Sequence, residues 1–224
     1  MTKTEERSAR SELFEHLAVV GKALGNGKRL ELLELLAQGP RGVVELAEEA
    51  GLGVTTTSAH LQTLRRAGLV STEREGTTIR YSLADDHVAS LYGTLLDVAP
   101  TRSPAVREAV RAYLGDEDVA MTKRAELPRL LAAGEGVVLD VRPAREYRSG
   151  HIPGALSIPA EKLAQRLGEV PDDLHVVVCG RGPYCLSAYR AVHLLSARDR
   201  DVTLLAGGLV GWRQSDGPLV SDAG

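Results

Sequence analysis

The sequence predicts a multidomain chain, an α+β half followed by an α/β half, and three observations carry that expectation. Its 224 residues exceed one small domain and fit two of about 100 residues each. Apolar residues recur at helical spacing through residues 13–67, broken by glycines. Beyond about residue 119, short runs rich in Val and Leu alternate with helical stretches, the order that builds a mostly parallel sheet.

In chain order, the periodic stretch 13–36 is split at Gly25-Asn26-Gly27 into two helices, the second ending before Gly39-Pro40. Helices follow over 43–50, stopped by Gly51, and over 55–67, stopped by Gly68. The Gly51-Leu52-Gly53-Val54 link makes this pair a helix-turn-helix pattern. Residues 69–74 and 78–83 alternate around Glu75-Gly76-Thr77, a hairpin signature with glycine at its turn. A helix over 86–98 closes the first domain. Residues 100–115 read as a helical connector, with Val106, Val110 and Leu114 repeating every fourth residue after Ser103-Pro104. The second half places strands at 137–141, 155–158, 176–179 and 202–205, and helices at 161–167 and 186–197.

Hydrophobic residues at 43% and charged residues at 25% fit a globular protein with a core in each half. Aromatics are only 4%, so those cores rest on Leu, Val and Ala. The charged start MTKTEERSAR lacks the apolar stretch of a secretory signal, and no run reaches a membrane span. A cytoplasmic location with no membrane partner is therefore expected. In that reducing setting the two cysteines, Cys179 and Cys185, are more readily reactive or buried thiols than a disulfide. A net charge of −3 neither supports nor excludes nucleic acid. Local charge says more: residues 55–70 hold Arg65 and Arg66 and no carboxylate, as expected where phosphates meet one face.

The words Lys22-Ala23-Leu24-Gly25-Asn26, Arg29-Leu30 and the run from Ser58 to Val70 resemble the ArsR family of winged helix-turn-helix regulators. The resemblance implies a homodimer that lays its second turn helix in the major groove of double-stranded operator DNA. The residues offer suitable chemistry: the short hydroxyls of Thr55, Thr56, Thr57 and Ser58 begin that helix, and His60, Gln62 and Arg65 follow on or near one face. Arg74 and Arg80 flank the wing, where they would meet phosphates. The alternative is a merely solvated helix surface. Gly42-Val43-Val44-Glu45-Leu46 has no thiol where many relatives bind metals, which disfavours thiophilic sensing there. No metal site or cofactor is expected, although His16 and His87 leave an oxygen and nitrogen site open.

Four further words, Leu139-Asp140-Val141-Arg142, Glu146-Tyr147, Gly150-His151-Ile152-Pro153-Gly154-Ala155 and Cys179-Gly180-Arg181-Gly182-Pro183-Tyr184-Cys185, precede Gly207-Gly208 and Trp212. Together they resemble a rhodanese-like domain. That resemblance implies a cysteine whose thiolate is cradled by loop N–H groups and carries a sulfane sulfur as a persulfide. The loop would comprise Gly180, Gly182, Pro183 and Tyr184, with Arg181 as the local cation. Cys185 would open the next helix, whose N-terminal charge favours a thiolate. Asp140 and Arg142 would either orient the loop or hold a strand end, His151 and Pro153 would pack, and Trp212 would fill the core.

One departure divides the readings. In versions fused to such regulators the nucleophile stands immediately before Arg-Gly-Pro-Tyr-Cys, and here that residue is Gly180. Aligned without a gap, the nucleophile is lost and Cys179 is a strand residue facing another way. With one residue added to the loop, Cys179 is the nucleophile. The strand length counted from Pro171 favours the first, and a third reading makes both cysteines simply buried.

The expected domains are a winged helix-turn-helix over 10–98, a connector over 99–118 and a rhodanese-like domain over 119–221. The leading functional expectation is a DNA-binding repressor that senses reactive sulfur, an oxidant or a thiophilic ligand through Cys179 and Cys185. A sulfurtransferase with Cys179 as persulfide carrier between a small sulfur donor and a thiol acceptor is the alternative, and an inactive partner-binding module the third.

Overall fold

The computed structural model describes residues 2–115 and 119–222, and residues 116–118 at the end of the expected connector lie outside them. The chain forms two compact units, Met1–Val88 and Ala89–Gly224.

The first unit opens with α1 (Lys3–Leu24), ten residues before the apolar periodicity begins. Its start is fixed by a capping box: Thr2 accepts from the Glu5 amide, and Glu5 accepts from the Thr2 amide. Asn26 caps α2 (Gly27–Leu36) through the Arg29 amide. Arg29 turns back to donate to the carbonyls of Ala23 and Lys22 at the end of α1, satisfying groups a helix end leaves open. Strand β1 (Arg41–Gly42) leads into α3 (Val43–Glu49), and α4 (Val54–Arg66) completes the helix-turn-helix. The buried Arg41 guanidinium donates to the carbonyls of Leu35 and Gly39 and pairs with Glu49. Strands β2 (Val70–Glu75) and β3 (Thr78–Leu83) form the wing, and the antiparallel sheet runs β1-β3-β2. Glu75 faces Thr78 across a two-residue turn whose Gly76 has φ +60°, the left-handed conformation such hairpins need. Leu32, Leu33, Leu36, Leu46, Leu61 and Leu64 are fully buried, so the scarcity of aromatics is made up by leucine.

Helix α5 (Asp86–Arg102) spans the division between the units and continues beyond residue 98, with Pro100 inside it. Ser103 caps α6 (Pro104–Leu114) with proline in its first turn. The second unit continues with β4 (Met121–Thr122), α7 (Leu127–Ala132), β5 (Gly136–Asp140), α8 (Ala144–Ser149) and β6 (Leu156–Ser157). After α9 (Ala160–Leu163) and a 3-10 turn come β7 (His175–Cys179), α10 (Leu186–Ser196), β8 (Val202–Leu205) and α11 (Gly208–Gln214). The five strands are all parallel in the order β4-β8-β7-β5-β6. Alternation along β7 feeds two cores: Val176 and Val178 join Leu139, Ile158, Leu163 and Leu195 on one face. Val177 and Cys179 join Leu127, Ile152, Leu205 and Trp212 on the other. No helix among the described residues is long and apolar enough to cross a membrane.

Leu61 sits fully buried on the inner face of α4. Leu61→Ala is expected to lower the unfolding free energy of the first unit by about 2–5 kcal/mol, read as a shifted midpoint in urea titrations. A shift near zero would mean that this helix does not depend on its inner face.

Candidate functional site

The inner face of α4 is set by Thr57, Leu61 and Leu64, all buried. At roughly 100° per residue, the opposite face carries Thr55, Ala59, Gln62 and Arg66, flanked by Thr56. Thr55, Thr56, Ala59, Arg65 and Arg66 are exposed, and Ser58, His60 and Gln62 are half-buried. Thr57 is a correction. Its side chain is fully buried and its hydroxyl donates to the Gly53 carbonyl at 3.1 Å, so it serves the helix start and not a ligand. His60 is corrected too: it falls on the flank of α4 away from Gln62 and Arg65, not on one face with them. Arg66, expected with Arg65 only as local positive charge, projects outward one turn beyond Gln62.

In the wing, Arg74 is exposed and its Nε donates to the Gly76 carbonyl at 3.1 Å. Arg80 is tied more closely to the protein, donating to the Pro40 carbonyl at 2.9 Å and pairing with Glu75 at 3.4 Å. The wing therefore presents Arg74 more openly than Arg80.

In the second unit the loop 180–185 runs from the end of β7 to the start of α10. Cys179 is the last residue of β7, paired with Asp140 and completely buried in the Trp212 core. Burial and the Asp140 carboxylate push its thiol pKa far up, against the opposing pull of Arg142. A nucleophile there would have to ionise while fully buried, which weighs against the reading of Cys179 as persulfide carrier. Gly180 occupies the start of the loop and is buried. A Cβ on Gly180 would lie 2.7 Å from Cys185 Sγ and 2.8 Å from the Ala188 Cβ. The thiol of Cys185 thus occupies the space where a residue 180 side chain would project. Cys185 is half-buried, joined to no disulfide, and stands at the N-cap of α10.

Arg181 turns out of the loop. Its Nε and Nη2 meet Glu146 Oε2 at 3.0 Å and Oε1 at 2.5 Å, a bidentate pair with a carboxylate that is 1% exposed. Glu146 belongs to one of the words that carry the rhodanese-like resemblance, but the sequence assigns it no site role, because its partner Arg181 lies on a distant element. Asp140 and Arg142 form a second buried pair: Arg142 Nη2 to Asp140 Oδ2 is 2.6 Å, and the Arg142 amide donates to Oδ1 at 3.0 Å. Arg142 also donates to the Gly150 carbonyl at 2.8 Å. Burial opposes its charge, but the hydrogen bond and attraction of Asp140 prevail and raise its pKa. His151 stacks on Tyr147 with ring centroids 3.6 Å apart, and Trp212 Nε1 donates to the Pro218 carbonyl.

Gly182 is buried, and Pro183 and Tyr184 are half-buried. The loop is held from behind by α11, whose Leu209 and Val210 amides donate to the Gly180 and Arg181 carbonyls at 2.9 and 3.1 Å. The approach requires glycine at residue 208, where φ is +54° and a Cβ would lie 2.7 Å from the Gly180 carbonyl oxygen.

A helix-turn-helix with a hairpin wing, followed by a parallel sheet whose central strand opens into a cysteine-containing loop, defines a winged-helix protein fused to a rhodanese-like domain. Sequence comparison agrees on both halves: residues 26–72 match the bacterial regulatory protein, arsR family, and residues 123–215 match the rhodanese-like domain. The HTH-type transcriptional regulator Rv0324 of Mycobacterium tuberculosis is 43% identical over 210 residues, covering 94% of this chain and 92% of that protein. The HTH-type transcriptional regulator CmtR of Mycobacterium bovis is 40% identical over 109 residues, 47% of this chain and 90% of its own length. Among solved structures, the homodimeric winged helix-turn-helix DNA-binding domain of a possible ArsR-family regulator from Mycobacterium bovis is 45% identical. It covers 42% of this chain and 86% of that one with a TM-score of 0.40. The chain belongs to the ArsR family of transcriptional regulators and carries a C-terminal rhodanese-like domain.

Two measurements test the second site. In the native protein iodoacetamide is expected to alkylate Cys185, with Cys179 labelled only after denaturation; rapid native labelling of Cys179 would restore it as a nucleophile. Arg142→Met leaves the Asp140 carboxylate buried without its partner, so it is expected to cost about 3–5 kcal/mol of stability. An unchanged urea midpoint would contradict that.

Proposed function

We propose that this chain is an operator-binding repressor that works as a homodimer in the cytoplasm and responds to small persulfides through Cys185. The observation that carries the DNA-binding part is the outward face of α4, where Thr55, Thr56, Gln62 and Arg66 stand together with no carboxylate on the helix. Thr55 and Thr56 at the helix start and Gln62 further along it suit base edges and phosphates, and Arg65, Arg66 and Arg74 suit phosphates. Dimerisation is supported by α1, whose Leu13, Phe14 and Leu17 are each 56% exposed, an apolar stripe rarely left to water. The homodimeric form of the related Mycobacterium bovis domain points the same way.

For the sulfur response, the Cys185 thiolate attacks the outer sulfur of a small persulfide. A new S–S bond forms on Cys185, the S–S bond of the donor breaks, and the donor's thiolate leaves with the electron pair. Gly180 provides no second thiol beside it to carry the sulfur onward, which favours a site that records sulfur over one that turns it over.

Titration onto promoter DNA tests both parts. Gln62→Ala and Arg66→Ala are expected to weaken operator binding, by about 1–3 kcal/mol for a lost base contact, whereas Thr57→Val leaves it intact. An organic persulfide is expected to lower the affinity of the wild type and of Cys179→Ala by roughly 5–150-fold and to leave Cys185→Ser unaffected. A response that survives Cys185→Ser would sink the proposed sensor.

A further inference from the structure

Pro100 lies inside α5 and has no backbone N–H, so the donor that the helix repeat would supply to the Leu96 carbonyl is missing. The Tyr184 hydroxyl supplies one, donating to the Leu96 carbonyl at 2.8 Å. Tyr184 is the loop residue immediately before Cys185. Burial, with the Asp97 carboxylate and Tyr189 nearby, raises its phenol pKa, so it remains a donor across the neutral range.

A second connection runs through α11. Its first amides hold the Gly180 and Arg181 carbonyls, and its last residue, Gln214, donates through Nε2 to Thr94 Oγ1 on α5 at 3.1 Å. Arg124 braces the junction, donating to the Gly211 carbonyl at 2.9 Å and to Gln214 Oε1 at 2.8 Å while pairing with Asp97 at 3.4 Å. The approach is close enough that a Cβ on Gly93 would lie 3.0 Å from Gln214 Oε1.

We propose that this pair of connections couples the Cys185 loop to α5, with the Tyr184 hydroxyl and the Leu96 carbonyl as the contact that reports the state of the sulfur. The inference rests on the reading of Cys185 as the reactive thiol. The half-buried Cys185 thiol fills the space beside Gly180, where a Cβ would lie 2.7 Å from Sγ, so the loop closes one side of the sulfur. A group added to that sulfur shifts residues 183–185, and the shift draws the Tyr184 hydroxyl off the Leu96 carbonyl. Helix α5 is one continuous element that begins at Asp86, so a loosened carbonyl at Leu96 is felt along it.

The test is amide hydrogen exchange over residues 89–102 of the full-length protein, before and after alkylation of Cys185 with iodoacetamide, the single addition being confirmed by intact mass. Loss of one such hydrogen bond is expected to speed local exchange by about threefold to tenfold in the wild type. In Tyr184→Phe exchange is already raised, and alkylation adds less than about twofold. Pro100→Ala restores the helical donor, so exchange stays low with and without alkylation. Exchange in wild-type α5 that ignores alkylation, or that rises equally in both variants, overturns the coupling. The readout needs no DNA: operator affinity indifferent to persulfide, with α5 still responding to alkylation, defeats the sensor and supports the coupling.

Discussion

Side chains on β7 alternate between two cores, and because the strand pairs with β5 so that Cys179 faces Asp140, that alternation fixes which face each thiol can see. Val177 and Cys179 point into the Trp212 core. Gly180, one residue on, points into the loop toward Cys185. A shift of one residue would exchange these roles and expose valine to the loop, which the two apolar faces forbid. The chemistry of the second unit follows from this parity: burial keeps the Cys179 thiol neutral, and the thiol beside Gly180 stands at the N-cap of α10.

Around that loop the domain places its charges in pairs. Asp140 with Arg142, and Glu146 with Arg181, are both nearly withdrawn from water on the carboxylate side. Removing one member of such a pair costs far more than the pair contributes net, so they act as constraints on geometry. Arg142 ties the end of β5 to the Gly150 carbonyl, and Arg181 ties the loop to α8. A guanidinium held in this way by Glu146 ties the loop backbone to α8. Amides of α11 complete the support by taking the carbonyls that the loop turns outward.

Much of this was legible because the local signals were strong. The two turn helices end at Gly51 and Gly68, the wing turns at Gly76, and each is a residue with positive φ, so glycine and alternation located these elements directly. Less was legible where the deciding partner is distant or the cue is not apolar. The start of α1 depends on the Thr2 and Glu5 capping box, a polar signal ahead of any periodicity. Thr57 reads as one of several exposed hydroxyls until the helix phase places it beside Leu61 and Leu64. The ion-pair role of Glu146 emerges only when the fold brings Arg181 to it.

Proline at residue 100 shows the same gap between local rule and tertiary outcome. Read alone, it marks a helix boundary, since the ring removes a donor and crowds the preceding turn. In α5 only Thr101 and Arg102 follow it within the helix, so few backbone bonds are lost. The carbonyl left without its helical donor is met by a tyrosine hydroxyl, which recovers a hydrogen bond that a solvent molecule would otherwise supply. A residue that would end an isolated helix thus fixes where another element can attach to it. Up to its sequence boundary the same helix is also held by tertiary contacts, Gln214 on Thr94 and Arg124 on Asp97.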